Sequence, residues 1–190
     1  MFGGEIKKKR QMRGLALVVL LALTMWAGCS TSQGVAGVSV TPRQAFEMWR
    51  AAPGRVNILD VRTPAEYVFV GHAPMARNIP LVFAAHKWDA QERRPVIEPN
   101  PRFVDEAIKC YKPDDVIVTM CADGKRGAKA AEALKAAGFT QVLNMEGGFD
   151  GEYADDCSDC GTGKAVKPGW RNCGLIWTRA VDRESFYTVE

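Results

Sequence analysis

From residue 41 onward, apolar positions follow two alternating rhythms. In TPRQAFEMWRAA, Ala45, Phe46 and Trp49 recur at helical spacing. Thr41 stands as N-cap and Pro42 at the first helical position, which predicts an amphipathic helix. VNILDV, residues 56–61, is a mainly apolar run of strand length. TPAEYVFV repeats the cap-proline opening from Thr63 and predicts a second helix. ARNIPL reads as a short strand, and PRFVDEAIKCY as a helix. DDVIVTM, residues 114–120, reads as a strand whose continuous apolar run fits burial on both faces. GAKAAEALKAAG predicts a helix beginning near Gly127 and closed by Gly138 as C-cap, and TQVLNM the last strand. Residues 82–101, with three prolines and a charge cluster, predict a long irregular surface loop with one helical turn. Strands separated by helices imply an α/β fold around a mostly parallel sheet with right-handed crossovers.

The first 28 residues break both rhythms. MFGGEIKKKRQMR is a basic leader, and GLALVVLLALTMWAG is an uncharged apolar run. The run is short for a spanning helix, which needs about 20 apolar residues. Together they read as a secretory signal peptide, residues 1–28. Ala27 and Gly28 before Cys29 resemble the lipobox of bacterial lipoproteins, in which the cysteine thiol takes a diacylglycerol and becomes the new N-terminus. Plain cleavage nearby and an uncleaved anchor are the alternatives. The expected location is the periplasm, with the membrane as partner through a lipid or anchor. Residues 29–37 read as a small, polar tether. The leader carries a net +4 of the whole chain's +3, so residues 29–190 carry −1. That balance gives no argument for nucleic acid as a partner.

Candidate chemistry centres on MCADGKRG, residues 120–127. Cys121 ends a predicted strand, and a helix follows. In such sheets, sites form beyond the carboxyl ends of the strands. Backbone N–H groups between strand and helix make an anion-favouring cradle. Gly124 lets the chain curl so that these groups converge. The helix dipole, Lys125 and Arg126 all favour a lowered thiol pKa and a nucleophilic sulfur. The alternative is an inert cysteine packed at a strand end. The spacing does not fit a Walker phosphate loop, because Thr119 stands where its first glycine belongs and Arg126 where its Ser/Thr belongs. His72 and His86 are the only histidines, and neither spacing announces a partner for Cys121.

With these residues in view, the chain resembles the single-domain rhodaneses, a sulfurtransferase family. NILDVRTPAEYVFVGHAPMARNIP, residues 57–80, is similar to the family's first signature through Asp60-Val61-Arg62, Glu66, Gly71-His72 and Asn78-Ile79-Pro80. VIVTMCADGKRGAKAAEALKAAGF is similar to its active-site strand, loop and helix. MEGGFDGEY and PGWRNCGLIW resemble its closing Gly-Gly turn and its Gly-Trp…Gly-Leu tail. The resemblance covers roughly residues 38–178, leaving 179–190 as a C-terminal tail. It implies a three-layer fold with about five strands flanked by helices. It implies that Cys121 attacks the outer sulfur of an anionic donor such as thiosulfate, holds it as a persulfide, and passes it to a thiol or cyanide. Backbone groups of Ala122, Asp123, Gly124, Lys125 and Arg126 would hold the sulfur's charge. Lys125 and Arg126 would attract the donor. Arg62 would either face the same pocket or form a structural salt bridge with Asp60 or Glu66. Asp60, Glu66 and His72 read as supports of the fold. No cofactor is implied beyond the covalent persulfide.

Three cysteines cluster in CSDCGTGKAVKPGWRNC. A haem-attachment motif would need histidine at Gly161, and a zinc site would lack its fourth ligand. Export favours one disulfide among Cys157, Cys160 and Cys173, with the pairing open. Cys110 ends a helix and is expected to pack. Beside the sulfurtransferase stand two other classes: a sulfur-carrying or protein-binding module with little turnover, and a phosphatase-like or arsenate-reducing relative. Those phosphatases carry a loop one residue longer than the six positions from Cys121 to Arg126.

Overall fold

The computed structural model describes residues 39–153 and 165–188. Five parallel strands form its sheet: β1 (Ser39–Val40), β2 (Val56–Asp60), β3 (Ala76–Asn78), β6 (Val116–Met120) and β7 (Gln141–Met145), in the order β1-β7-β6-β2-β3. The side-chain period of two divides β2 and β6 between two cores. Leu59, Val61, Ile117 and Cys121 face one side, with Phe103, Ala107, Ala130 and Leu134. Val56, Ile58, Val118 and Met120 face the other, with Ala45 and Trp170. The first side is covered by α2 (Phe103–Cys110) and α3 (Lys125–Ala136), the second by α1 (Pro42–Ala51). This is the expected three-layer α/β arrangement with a five-stranded parallel sheet.

Helix α1 forms as expected, because Thr41 and Gln44 cap each other reciprocally. The stretch after Thr63 also opens on a reciprocal cap. The Thr63 N–H donates to Glu66 Oε2 (2.9 Å), and the Glu66 N–H donates to Thr63 Oγ1 (3.3 Å). It then widens into π geometry over Glu66–Val70 instead of continuing as an α-helix.

Three expectations change. Residues 82–101 contain a β-hairpin, β4 (Val82–Asp89) with β5 (Arg94–Pro99), in place of an irregular loop. Most of both strands is exposed, so no apolar rhythm marks them, and the prolines are tolerated because a two-stranded ribbon is all edge. Asp89 Oδ1 turns the chain by accepting the N–H groups of Gln91 (3.0 Å) and Glu92 (3.1 Å). The strand β7 is not the last, since β8 (Gly151–Tyr153) pairs with β9 (Ala165–Pro168). Helix α3 starts at Lys125, two residues before Gly127, behind Gly124 in the left-handed region (φ 95°). The C-terminal residues dock on the sheet. Asn78 N–H donates to Ser185 O (2.8 Å), and the Tyr187 ring lies 5.8 Å from that of Phe83.

Candidate active site

Cys121 follows β6 directly, at the carboxyl end of the sheet and flanked there by β2 and β7. The parallel ladder continues past the strand, because Val61 N–H donates to Met120 O (2.8 Å). The sulfur points into the core under α2 and α3 and is fully buried. Gly124 N–H donates to Sγ at 3.1 Å, and the N–H groups of Asp123 and Gly127 also act on it favourably. The thiol in turn donates to Asp123 Oδ1 at 3.5 Å, the oxygen that accepts the Lys125 N–H (3.0 Å) at the head of α3.

The electrostatic expectation for this loop is overturned. Burial pushes the Cys121 thiol above its ordinary value, and the N–H donors and Arg126 only partly offset it. Neither loop cation faces the sulfur alone. Lys125 Nζ lies 3.3 Å from Asp123 Oδ2 and projects into solvent. Arg126 grips Glu66 through two bonds, Nη2 to Oε1 at 2.6 Å and Nη1 to Oε2 at 2.9 Å. Glu66 thus does more than support its own turn: it neutralises the strongest cation of the loop. Arg62 is buried against Asp60, donating from Nε (3.0 Å) and Nη2 (2.6 Å), and from Nη2 to Gly71 O (2.8 Å). Its guanidinium carbon sits 4.2 Å above the Phe149 ring. Burial opposes the Arg62 charge, Asp60 outweighs burial, and its pKa is raised. Arg62 therefore forms the structural salt bridge with Asp60, one of the two arrangements expected for it. His72 stacks on Tyr67 at 3.7 Å and bonds its carbonyl, which fits its supporting role.

The turn after β7 clasps the loop from behind. Phe149 N–H donates to Cys121 O (2.7 Å) and Asp150 N–H to Ala122 O (2.9 Å). This approach requires Gly148, whose φ is 54° and whose Cβ, were there one, would collide with the Cys121 carbonyl. Phe149 and Asp150 escape sequence reasoning because their part is played by backbone N–H groups, which no side-chain pattern advertises. The GG pair in MEGGFDG is the one visible signal.

The profile of the Rhodanese-like domain family matches residues 45–154. The chain belongs to this family. Among curated proteins, this rhodanese-like chain is similar to the senescence-associated protein DIN1 of Raphanus sativus, 32% identical over 111 residues, covering 58% of this chain and 54% of the relative. It is also similar to thiosulfate sulfurtransferase 16, chloroplastic, of Arabidopsis thaliana, 34% identical over 91 residues, covering 48% and 68%. Among solved structures, it is similar to the crystal structure of Rv0390 from M. tuberculosis, with a TM-score of 0.56, 27% identity, and coverage of 75% of this chain and 97% of that one. The chain spans about half the length of the first curated relatives it matches, 54% to 55%.

Cys110 and Cys173 are the other cysteines among the described residues. Cys29, Cys157 and Cys160 are outside the described residues. Cys173 is a half-buried free thiol. Cys110 is exposed at the end of α2, where packing was expected.

Proposed function

We propose that this rhodanese-like domain moves a sulfane sulfur through Cys121. The observation that carries this reading is the Gly124 N–H donating to Sγ (3.1 Å) inside a loop between a central strand and a helix N-terminus. The Cys121 thiolate attacks the outer sulfur of an anionic donor such as thiosulfate. The donor's S–S bond breaks, sulfite leaves with the electron pair, and Cys121 becomes a persulfide. An acceptor thiolate or cyanide then attacks the outer persulfide sulfur and returns the Cys121 thiolate. The loop N–H groups stabilise the charge carried on the transferred atom. The thiol must first lose its proton, and burial opposes this, so loading accelerates as pH rises past the ordinary thiol value.

One observation favours a second reading, a carrier with little turnover. Both loop cations are paired to carboxylates, which weakens any attraction for a free dianion. The same assay separates the two. Thiosulfate and cyanide are supplied together, and the sulfur adduct is weighed in parallel. Many thiocyanates per Cys121 support the transferase; one adduct with no steady turnover supports the carrier. An adduct that survives Cys121→Ser defeats both. Cys121-dependent hydrolysis of p-nitrophenyl phosphate, faster than sulfur transfer, would promote the phosphatase-like alternative. The proposed setting is the periplasmic side of a membrane, reached through a lipid on Cys29.

A further inference from the structure

A cavity of about 280 Å³ opens on the other side of β2 from the Cys121 loop. It is a groove between edge strand β3 and helix α2, closed by residues 183–188. Helical spacing puts Arg102, Glu106, Lys109 and Cys110 on one face of α2, and all four line the groove. Arg77 of β3 lines the opposite wall and Arg183 the third. That third wall is built into the fold, because Asn78 N–H holds Ser185 O (2.8 Å) and the Phe186 ring lies 6.2 Å from that of Tyr67.

The charges do not balance. Glu106 Oε1 is shared by Arg102 Nη2 (2.7 Å) and Lys109 Nζ (3.2 Å). Among the described residues, neither Arg77 nor Arg183 forms a salt bridge. With Glu184 included, four cations meet two carboxylates, an excess of two positive charges around one concavity. Arg77 and Arg183 put arginine forks on two of its walls, and such forks take carboxylate and phosphate oxygens bidentately. The volume lies at the lower end of small-molecule sites, about 300 Å³ upward, so it suits a ligand of few heavy atoms. None of its lining residues belongs to the Cys121 loop or to the turn that clasps it.

We propose that this groove binds a small oxygen dianion, a dicarboxylate or a phosphate, at a site separate from the sulfur-carrying loop. Cys110 provides the readout, since its exposed thiol lines the groove. The full chain is reduced and treated with neutral N-ethylmaleimide, and the modified peptides are followed by mass. Succinate and inorganic phosphate are the probes, with sodium chloride at equal ionic strength as control and Cys173 as the internal reference. A bound dianion slows Cys110 alkylation roughly tenfold at about ten times its Kd, by mass action. Cys173 keeps its rate. Slowing by succinate alone assigns the site to carboxylates, and slowing by phosphate alone to phosphates. Arg183→Gln alters an exposed residue and should abolish much of the protection, and Arg77→Gln with Arg183→Gln all of it. No slowing by either probe, slowing matched by chloride, or full protection in the double variant overturns the proposal.

Discussion

Glu66→Gln keeps the side chain's size and removes its charge. In the native protein, Oε1 and Oε2 take the two ends of the Arg126 fork at 2.6 and 2.9 Å, and Oε2 also accepts the Thr63 hydroxyl (2.7 Å) and N–H (2.9 Å). Burial alone would raise the carboxyl. The hydrogen bonds and charge of Arg126, with those of Thr63, outweigh burial and hold it at about 2, against 4.5 for an ordinary glutamate. At about 1.4 kcal/mol per pH unit, the gap is worth about 3 kcal/mol. The two side chains are 27% and 29% exposed, so screening reduces the expected loss to about 2 kcal/mol. A depressed carboxylate contributes stability above its ordinary value and loses it as pH falls toward its folded value, and more than half is gone by about pH 3. Urea unfolding of both proteins at pH 7 and pH 3 measures this. The wild type should be more stable by about 2 kcal/mol at pH 7, and the difference should shrink to less than half at about pH 3. The variant also leaves Arg126 without its counter-charge, so the pH midpoint for Cys121 alkylation should fall. Equal stability at pH 7, or the same acid dependence in both proteins, would refute the reasoning.

Gly148→Ala places a methyl group against the Cys121 carbonyl at a positive φ, with no flexible side chain to yield. It should destabilise by about 2 kcal/mol or more and suppress sulfur loading, while Gly138→Ala, strained by its φ of 99° but with an added Cβ that meets nothing within 4 Å, should leave loading intact. If Gly148→Ala loads sulfur at the native rate, the clasp does not set the loop. Cys29→Ala should release the protein from the membrane fraction and remove the mass of a lipid. Unchanged membrane association would favour an uncleaved anchor.

The sheet and its helices were legible because one sequence pattern carried both local and long-range information. Ile58, Leu59, Ile117 and Val118 are buried on alternate faces, so continuous apolar runs could only be central strands. Thr41 and Thr63 announced where chains turn into helices, and both cap as expected. The β4–β5 hairpin was illegible for the opposite reason. Its strands are covered on neither face, its cross-strand pairs such as Trp88 with Pro95 carry no alternation, and only Asp89 hints at a turn. The start of α3 was misplaced because Lys125 and Arg126 read as loop cations, whereas Asp123 Oδ1 already receives the first helical N–H there.

The site divides along the same physical line. Position was readable: a cysteine at the end of a doubly buried strand, then Gly124, then a helix. Electrostatics was not, because it depends on which charges meet in space. Arg126 and Glu66 are 60 residues apart, and Lys125 is matched by Asp123, two residues before it. Burial of the sulfur is likewise a property of the finished core, and it reverses the direction of the thiol shift. With the cations paired, Arg126 still acts on Sγ, but the backbone dipoles of Gly127 and Asp123 outweigh it, beside the N–H bond from Gly124. Such dipoles are fixed by the loop and its Gly148 clasp, unlike flexible side chains that follow a donor's charge. Selection at Cys121 should accordingly depend on the shape and contacts of the transferred sulfur more than on the donor's total charge. A persulfide on a neutral small thiol should therefore load Cys121 nearly as well as thiosulfate does, with little dependence on salt. Loading that needs a dianionic donor and fades steeply with ionic strength would instead mean that Arg126 leaves Glu66 to meet the donor.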